Sequence, residues 1–316
     1  MKPQELMAPR HFLRLPAAHP PLLQVVVDTE EEFAWGKGFR RENNRVEAMR
    51  GIGALQEVFE EWGIRPVYVI DYPVATQPKG YEALREFADS GRAIIGTHLH
   101  PWVNPPYEEE TTPYHSYPGN LPDELFERKL IQLTEAITAT FGRRPDIYKA
   151  GRYGLGPATG RILERHGYRY DLSVYPRADL RPDEGGPDFL GHPPEPYWFG
   201  SDGTLLEIPV TADFVGPLAR IGVPLRRVAS HPIGRALKLE AVLATSGALR
   251  RIHLTPEGVE PVLHRQLTRS LLRRGVRFFT FSLHSPSASP GYTPYVRRRG
   301  SAPLPRLLPR VLPLFL

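Results

Sequence analysis

Apolar and polar residues run along the chain in blocks that read alternately as strands and helices. Leu22-Leu23-Gln24-Val25-Val26-Val27 is rich in β-branched residues, the mark of a strand covered on both faces, and it ends abruptly in Asp28-Thr29-Glu30-Glu31-Glu32-Phe33. Over 45–62 the apolar positions Val46, Met49, Leu55, Val58, Phe59 and Trp62 keep helical spacing up to Gly63. A strand is predicted over 66–70, a helix over 81–90, and a third strand over 93–97 that opens onto His98-Leu99-His100-Pro101-Trp102. A proline-rich loop follows over 103–122, and Asp123 is expected to cap a helix through Leu125, Phe126, Leu130, Leu133 and Ile137 to Gly142. Strands at 147–148, 168–173 and 205–210, helices at 159–166 and 256–274, and a last strand at 276–283 delivering His284 complete the pattern.

Repeated βα units with polar clusters at the strand ends predict an α/β, barrel-like domain. The expected organisation is an N-terminal extension over 1–21, one domain over 22–300 and a Pro/Leu/Arg-rich tail over 301–316. Within the domain, an Arg- and Pro-rich excursion of helices and loops covers 215–251.

Composition narrows the chemistry. The 316 residues are 41% hydrophobic, enough for a substantial core. There is no cysteine, which excludes disulfides, thiolate zinc sites and a cysteine nucleophile, so any metal must be held by His, Asp and Glu. The net charge is +5, but the arginines are spread along the chain without a stripe of interleaved aromatics, and no nucleic-acid partner is expected. No stretch approaches the roughly 20 apolar residues of a membrane span, and the first 21 residues lack the apolar core of a signal peptide. A cytoplasmic protein is the expectation, with at most weak peripheral membrane contact through the tail. The pattern sets no oligomeric state.

Side chains two apart share a face of an extended chain, so Asp28 and Glu30 point together, as do His98 and His100. Two imidazoles at one strand end and a carboxylate at another suit a divalent metal, leaving the second acid free as a base. Taken singly, acids after a strand commonly open a helix, and one His-x-His is commonly a packing feature. His284, at the end of the last strand, has an ordinary pKa suited to a general acid.

In order, Asp28-Thr29-Glu30, Gly96-Thr97-His98-Leu99-His100, Lys149-Ala150-Gly151-Arg152-Tyr153, Tyr170-Asp171-Leu172-Ser173 and Ser282-Leu283-His284 resemble the motifs of the polysaccharide deacetylase (NodB homology, carbohydrate esterase 4) superfamily. The strings around His98 and His284 are most similar to its WalW-like branch, and the resemblance spans about 22–296.

It implies a deformed (β/α) barrel and a divalent metal, zinc being the expected one. The implied reaction removes an N-acetyl or O-acetyl group from an amino sugar or glycan in cell-surface polysaccharide metabolism. By position, Asp28 matches the catalytic base, Glu30 and His98 metal ligands, and His284 the general acid. Lys149 falls where the family has a base-orienting Arg, with Arg152 close enough to substitute, and Asp171 matches an acid of the fourth motif. Trp102 occupies the place of the usual second metal His, so His100 is expected to take that role.

Trp102 and Tyr153, with Tyr107 and Tyr114, are candidate sugar-contacting aromatics. Two other readings stay open: a non-catalytic carbohydrate-binding relative, and an amidohydrolase acting on a small non-sugar amide.

Overall fold

The computed structural model describes residues 9–16, 18–33 and 38–296. The tail expected over 301–316, and residues 1–8 of the expected extension, lie outside them. Eleven strands are present among the described residues: β1 (His11–Phe12), β2 (Leu22–Thr29), β3 (Val67–Ile70), β4 (Ile94–Leu99), β5 (Ile147–Ala150), β6 (Tyr170–Asp171), β7 (Tyr197–Phe199), β8 (Leu205–Glu207), β9 (Ala212–Val215), β10 (Arg250–His253) and β11 (Phe278–His284). The helices are α1 (Ile52–Glu61), α2 (Tyr72–Thr76), α3 (Pro78–Asp89), α4 (Asp123–Phe141), α5 (Thr159–Arg165), α6 (Gly222–Ser230), α7 (Pro232–Ala236), α8 (Leu239–Thr245) and α9 (Pro261–Arg273).

Nine strands form one mixed sheet in the order β1-β7-β8-β6-β5-β4-β3-β2-β11, and β9 pairs with β10 in a separate antiparallel pair. The run from β11 through β2, β3, β4 and β5 to β6 is parallel throughout. The sheet curls into a deformed (β/α) barrel with helices packed on its outer face. Alternation along the strands separates two apolar layers. Val25, Val27, Tyr68, Ile70, Leu99 and Tyr148 face the helices and join the main core. Val26, Val67, Val69 and Ile147 belong to a second cluster on the opposite face of the strands. That inner face continues into Asp28, two residues past Val26, into Lys149, two past Ile147, and on β4 into His98, four past Ile94.

Three expectations need correction. The helix read over 45–62 opens instead as a 3-10 segment, Glu47–Gly51, before α1 begins. Gly51 packs so closely on the Ala288–Ser289 backbone and side chain that a Cβ there would meet Ser289 Oγ at 2.5 Å, so packing rather than helical periodicity sets this turn. Asp123 is the first residue of α4 rather than its cap; the N-cap is Pro122, with no side-chain hydrogen bond, and Gly142 closes the helix in left-handed backbone (φ 66°). The Arg- and Pro-rich segment contains helices α6–α8, but its two ends are joined by paired strands, Arg250 opposite Val215 through His253 opposite Ala212, which the sequence pattern does not reveal. No helix among the described residues is long and apolar enough to cross a membrane.

Candidate metal centre and active site

The parallel register brings the polar strand ends to one level. His284 at the end of β11 lies directly opposite Asp28 of β2, and His98 of β4 directly opposite Lys149 of β5. The C-terminal ends of parallel strands are where such folds gather their reactive groups. Ser285, just past β11, accepts a hydrogen bond from the Glu30 backbone at 3.2 Å and so ties the two strand ends together.

Glu30, His98 and His100 converge. Their facing atoms are 3.0 Å apart between His98 Nε2 and His100 Nε2, and 3.6 and 3.5 Å from those nitrogens to Glu30 Oε2. A tetrahedral ion with bonds of about 2.0–2.1 Å requires donor separations of about 3.3 Å, so this triangle matches one face of such a polyhedron.

The tautomers agree. His98 Nδ1 lies 3.1 Å from the Lys149 carbonyl, and His100 Nδ1 lies 2.8 Å from Glu31 Oε2, so both Nδ1 atoms carry their protons and both Nε2 atoms present lone pairs. Burial lowers both imidazole pKa values, that of His98 well below the ordinary 6.5, so neither ring supplies a second proton to bridge the pair. The donor set fits a divalent cation. Glu30 is pushed up to about 7 by burial, against the opposing pull of His284 and His100. The oxygen is therefore short of positive partners.

Two acids absent from the sequence reading of the site support this centre. Glu31 is fully buried, holding His100 through one oxygen and accepting from Trp102 Nε1 at 2.7 Å through the other. Asp71, just past β3, accepts from the Glu31 N–H at 2.6 Å and from the Val74 N–H at 2.8 Å. Burial raises Glu31 to about 7 and Asp71 well above the usual carboxylate range, Asp71 also being repelled by Glu31. The signal for Glu31 was its place in the acidic run; the signal for Asp71 was a lone acid at a strand end.

Lys149 Nζ donates to both oxygens of Asp28, at 2.6 and 2.7 Å, within a pair that is almost wholly buried. Burial alone would raise Asp28, but Lys149, His98 and His284 outweigh it and hold the carboxyl at about 2. His284 Nε2 faces Asp28 at 3.8 Å. Its other side is gripped by Glu257, whose Oε2 is 2.6 Å from Nδ1 and whose Oε1 accepts from the His284 N–H at 3.2 Å. Burial would lower this imidazole, yet Glu257, Glu30 and Asp28 together raise it to about 10. Glu257 falls within the span read as a helix over 256–274, but that helix begins only at Pro261, and Glu257 lies in the loop between β10 and α9, where nothing in the sequence marks it as a partner of His284.

Other expected residues sit differently. Arg152, considered as a substitute orienter of the base, does not serve Asp28: its guanidinium bonds Ser116 Oγ and Asp183 and lies over the rings of Tyr117 and Phe39, at 4.1 and 4.8 Å. Lys149 is the residue that bonds Asp28. Asp171 is also removed from the reacting groups. Its Oδ1 accepts from the Ser173 hydroxyl and N–H, and Ser173 Oγ accepts from Ala150 N–H at 2.8 Å, so Asp171 braces the strand end that carries Lys149. Trp102 lines the cavity but is only 3% exposed, stacked on His100 at 4.4 Å with its N–H spent on Glu31. It supports a ligand ring rather than offering an open platform. Tyr153 lines the same cavity, stacked on Tyr175 at 4.4 Å, whereas Tyr107 and Tyr114 are about half exposed and lie outside its lining.

Gly151 completes the centre. A Cβ there would stand 2.5 Å from His100 Cδ2 and 2.6 Å from the Leu99 carbonyl, so only glycine lets the end of β5 close on the His100 ring. The cavity above these groups measures about 220 Å³, with Phe33, Phe39, Trp102 and Tyr153 as its aromatic wall and Asp28, Glu30, His98, His100 and His284 at its polar end.

No family model matches the chain, and no curated protein matches it. Among solved structures, it is similar to a candidate polysaccharide deacetylase from Mycobacterium smegmatis, with a TM-score of 0.52 at 15% identity, over 96% of this chain and 88% of that one. The likeness is one of fold: a deformed (β/α) barrel of the kind seen in that structure. Weaker likenesses are to Puue allantoinase, at TM-score 0.48 and 15% identity over 90% and 89% of the two chains, and to a family 4 carbohydrate esterase from Streptomyces lividans in complex with acetate, at 0.33 and 10% over 48% and 62%.

Proposed function

We propose that the protein is a metal-dependent deacetylase that hydrolyses the N-acetyl group of an amino sugar, with zinc as its metal. The observation that supports this most is the convergence, on one small cavity, of a Glu-His-His donor triangle, an ionised carboxylate and a protonated imidazole. Glu30, His98 and His100 would hold the cation. When bound, such an ion acidifies water and stabilises negative charge developing on a carbonyl oxygen.

The protein's own groups divide the proton traffic. Asp28, kept ionised by Lys149, accepts a proton from the attacking water. Lys149 fixes the carboxylate by bonding both of its oxygens, so it cannot rotate away from the water. His284, kept protonated by Glu257, donates to the departing nitrogen as the C–N bond breaks. The balance is amide plus water giving acetate and the free amine. Aromatic walls exclude bulk water, which strengthens each of these interactions.

The test is acetate release from N-acetylated amino sugars by zinc-loaded protein, wild type against Asp28→Asn. Turnover abolished in the variant, with metal retained, supports the assignment; equal turnover in both would reject Asp28 as the base.

A further inference from the structure

Arg152 and Tyr153, consecutive and neither of them glycine, both have left-handed backbone, with φ 55° and 58°. Residues bearing a Cβ adopt this conformation only at a cost, and such strain concentrates at ligand-contacting positions. Its consequence here is direct. The turn past β5 sends both side chains into the lining of the cavity.

Among the described residues, the Lys and Arg side chains lining the cavity are Lys149 and Arg152. Lys149 is committed to Asp28. Arg152 is held in place by neutral partners, its Nη1 on Ser116 Oγ and the Pro113 carbonyl and its plane against Tyr117. Among the described residues its anionic contact is Asp183, through Nη2, on an oxygen that also accepts from the Tyr117 hydroxyl at 2.7 Å. The two differ in exposure: the Arg152 side chain is 21% exposed and that of Asp183 62%. An ion pair whose acid is this open to water is weak and exchangeable. The guanidinium, by contrast, is preorganised as a planar fork that matches carboxylate and phosphate oxygens.

The volume limits what can enter. About 220 Å³ is below the roughly 300–1,000 Å³ of pockets that enclose drug-sized ligands, and suits one sugar ring with its acetamido group at the polar end.

We propose that the substrate is a single N-acetylated sugar unit carrying an oxyanion, and that Arg152 is the receptor for that oxyanion, which takes the place of Asp183. The inference rests on the deacetylase reading for what happens to the acetamide, but the anion site stands on its own geometry. Asp183 then serves as a placeholder that keeps Arg152 aligned while the cavity is empty of substrate.

The experiment compares N-acetylglucosamine, its 1-phosphate and N-acetylglucosaminuronic acid on zinc-loaded wild type, Arg152→Gln and Asp183→Asn, measuring both acetate release and calorimetric binding. Wild type should prefer at least one charged sugar by about tenfold or more in kcat/KM or in affinity. Arg152→Gln should erase that preference, costing the charged sugar about tenfold or more beyond whatever it costs the neutral one, and Asp183→Asn should tighten the charged sugar. Preference for the phosphate or the uronate identifies which oxyanion is read. Equal use of neutral and charged sugars, or an Arg152→Gln loss that is the same for all three, overturns the inference and leaves the deacetylase reading intact. Arg152-dependent binding of a charged sugar without acetate release from any sugar does the reverse, and neither binding nor release rejects both.

Discussion

The Nε2 atoms of His98 and His100 face one another at 3.0 Å while each ring spends its Nδ1 proton elsewhere, on the Lys149 carbonyl and on Glu31. Two lone pairs so placed repel unless a cation lies between them. Near-stoichiometric zinc is therefore expected by elemental analysis of protein purified without a histidine tag, and its loss in His100→Ala. Glu31→Gln, which can accept from His100 or from Trp102 but not from both and removes the charge behind the imidazole, should weaken zinc about 10–100-fold in a chelator competition.

Gly151→Ala should weaken the same centre without replacing any residue that would hold the cation. The added methyl falls 2.5 Å from His100 Cδ2, so the ring must move or the end of β5 must withdraw. A loss of zinc affinity of about tenfold or more is expected, again because an outer group orients the ligand. Unchanged affinity would show that the ring has room to yield.

Lys149→Met should be costly twice over. Removing one partner of a buried ion pair leaves Asp28 uncompensated, at about 3–5 kcal/mol of stability, readable as a lowered denaturation midpoint. Burial then prevails over the remaining imidazoles and the Asp28 carboxyl rises from about 2. Because the base must be ionised, the acid limb of the pH–rate profile should move to higher pH. Lys149→Arg should restore most of both quantities.

Glu257→Gln should act on the opposite limb. His284 is held at about 10 chiefly by Glu257 acting against burial, so losing that charge lowers the imidazole and brings the alkaline fall in kcat/KM to lower pH. The stability linkage has the same sign. A histidine raised in the folded state contributes fully below its ordinary 6.5 and loses that contribution as pH climbs to about 10. The wild-type denaturation midpoint should therefore decline over this window, and the variant's should be flatter.

The sequence exposed what obeys strand periodicity. Asp28, His98 and His284 were visible as reactive side chains ending apolar runs, and the parallel fold places such ends at one level. Asp71 and Glu257 were hidden because their roles depend on contacts between segments distant in the chain: Glu31 with Asp71, and His284 with Glu257. Trp102 read as a sugar platform because a string of letters shows aromaticity but not burial against His100. Arg152 read as a base orienter from its nearness to Lys149 in the chain, whereas left-handed backbone turns it toward Ser116 and Asp183. The β9–β10 pair escaped notice because short strands flanking an Arg- and Pro-rich segment show little alternation.

The pairing of β2 with β11 also constrains how the molecule comes into being. Glu30 and Ser285, joined by a hydrogen bond in the finished fold, are 255 positions apart in the chain. At roughly 5–20 residues per second, a ribosome needs on the order of ten to fifty seconds to travel between them. Once β4 has emerged the donors of the metal centre can assemble at the ends of β2 and β4, while the valine-rich flank of β2 awaiting β11 is open to any other extended chain. Co-translational protection of that edge, ended only by arrival of the strand that brings the acid, would make the catalytic apparatus complete at the moment the hazard closes.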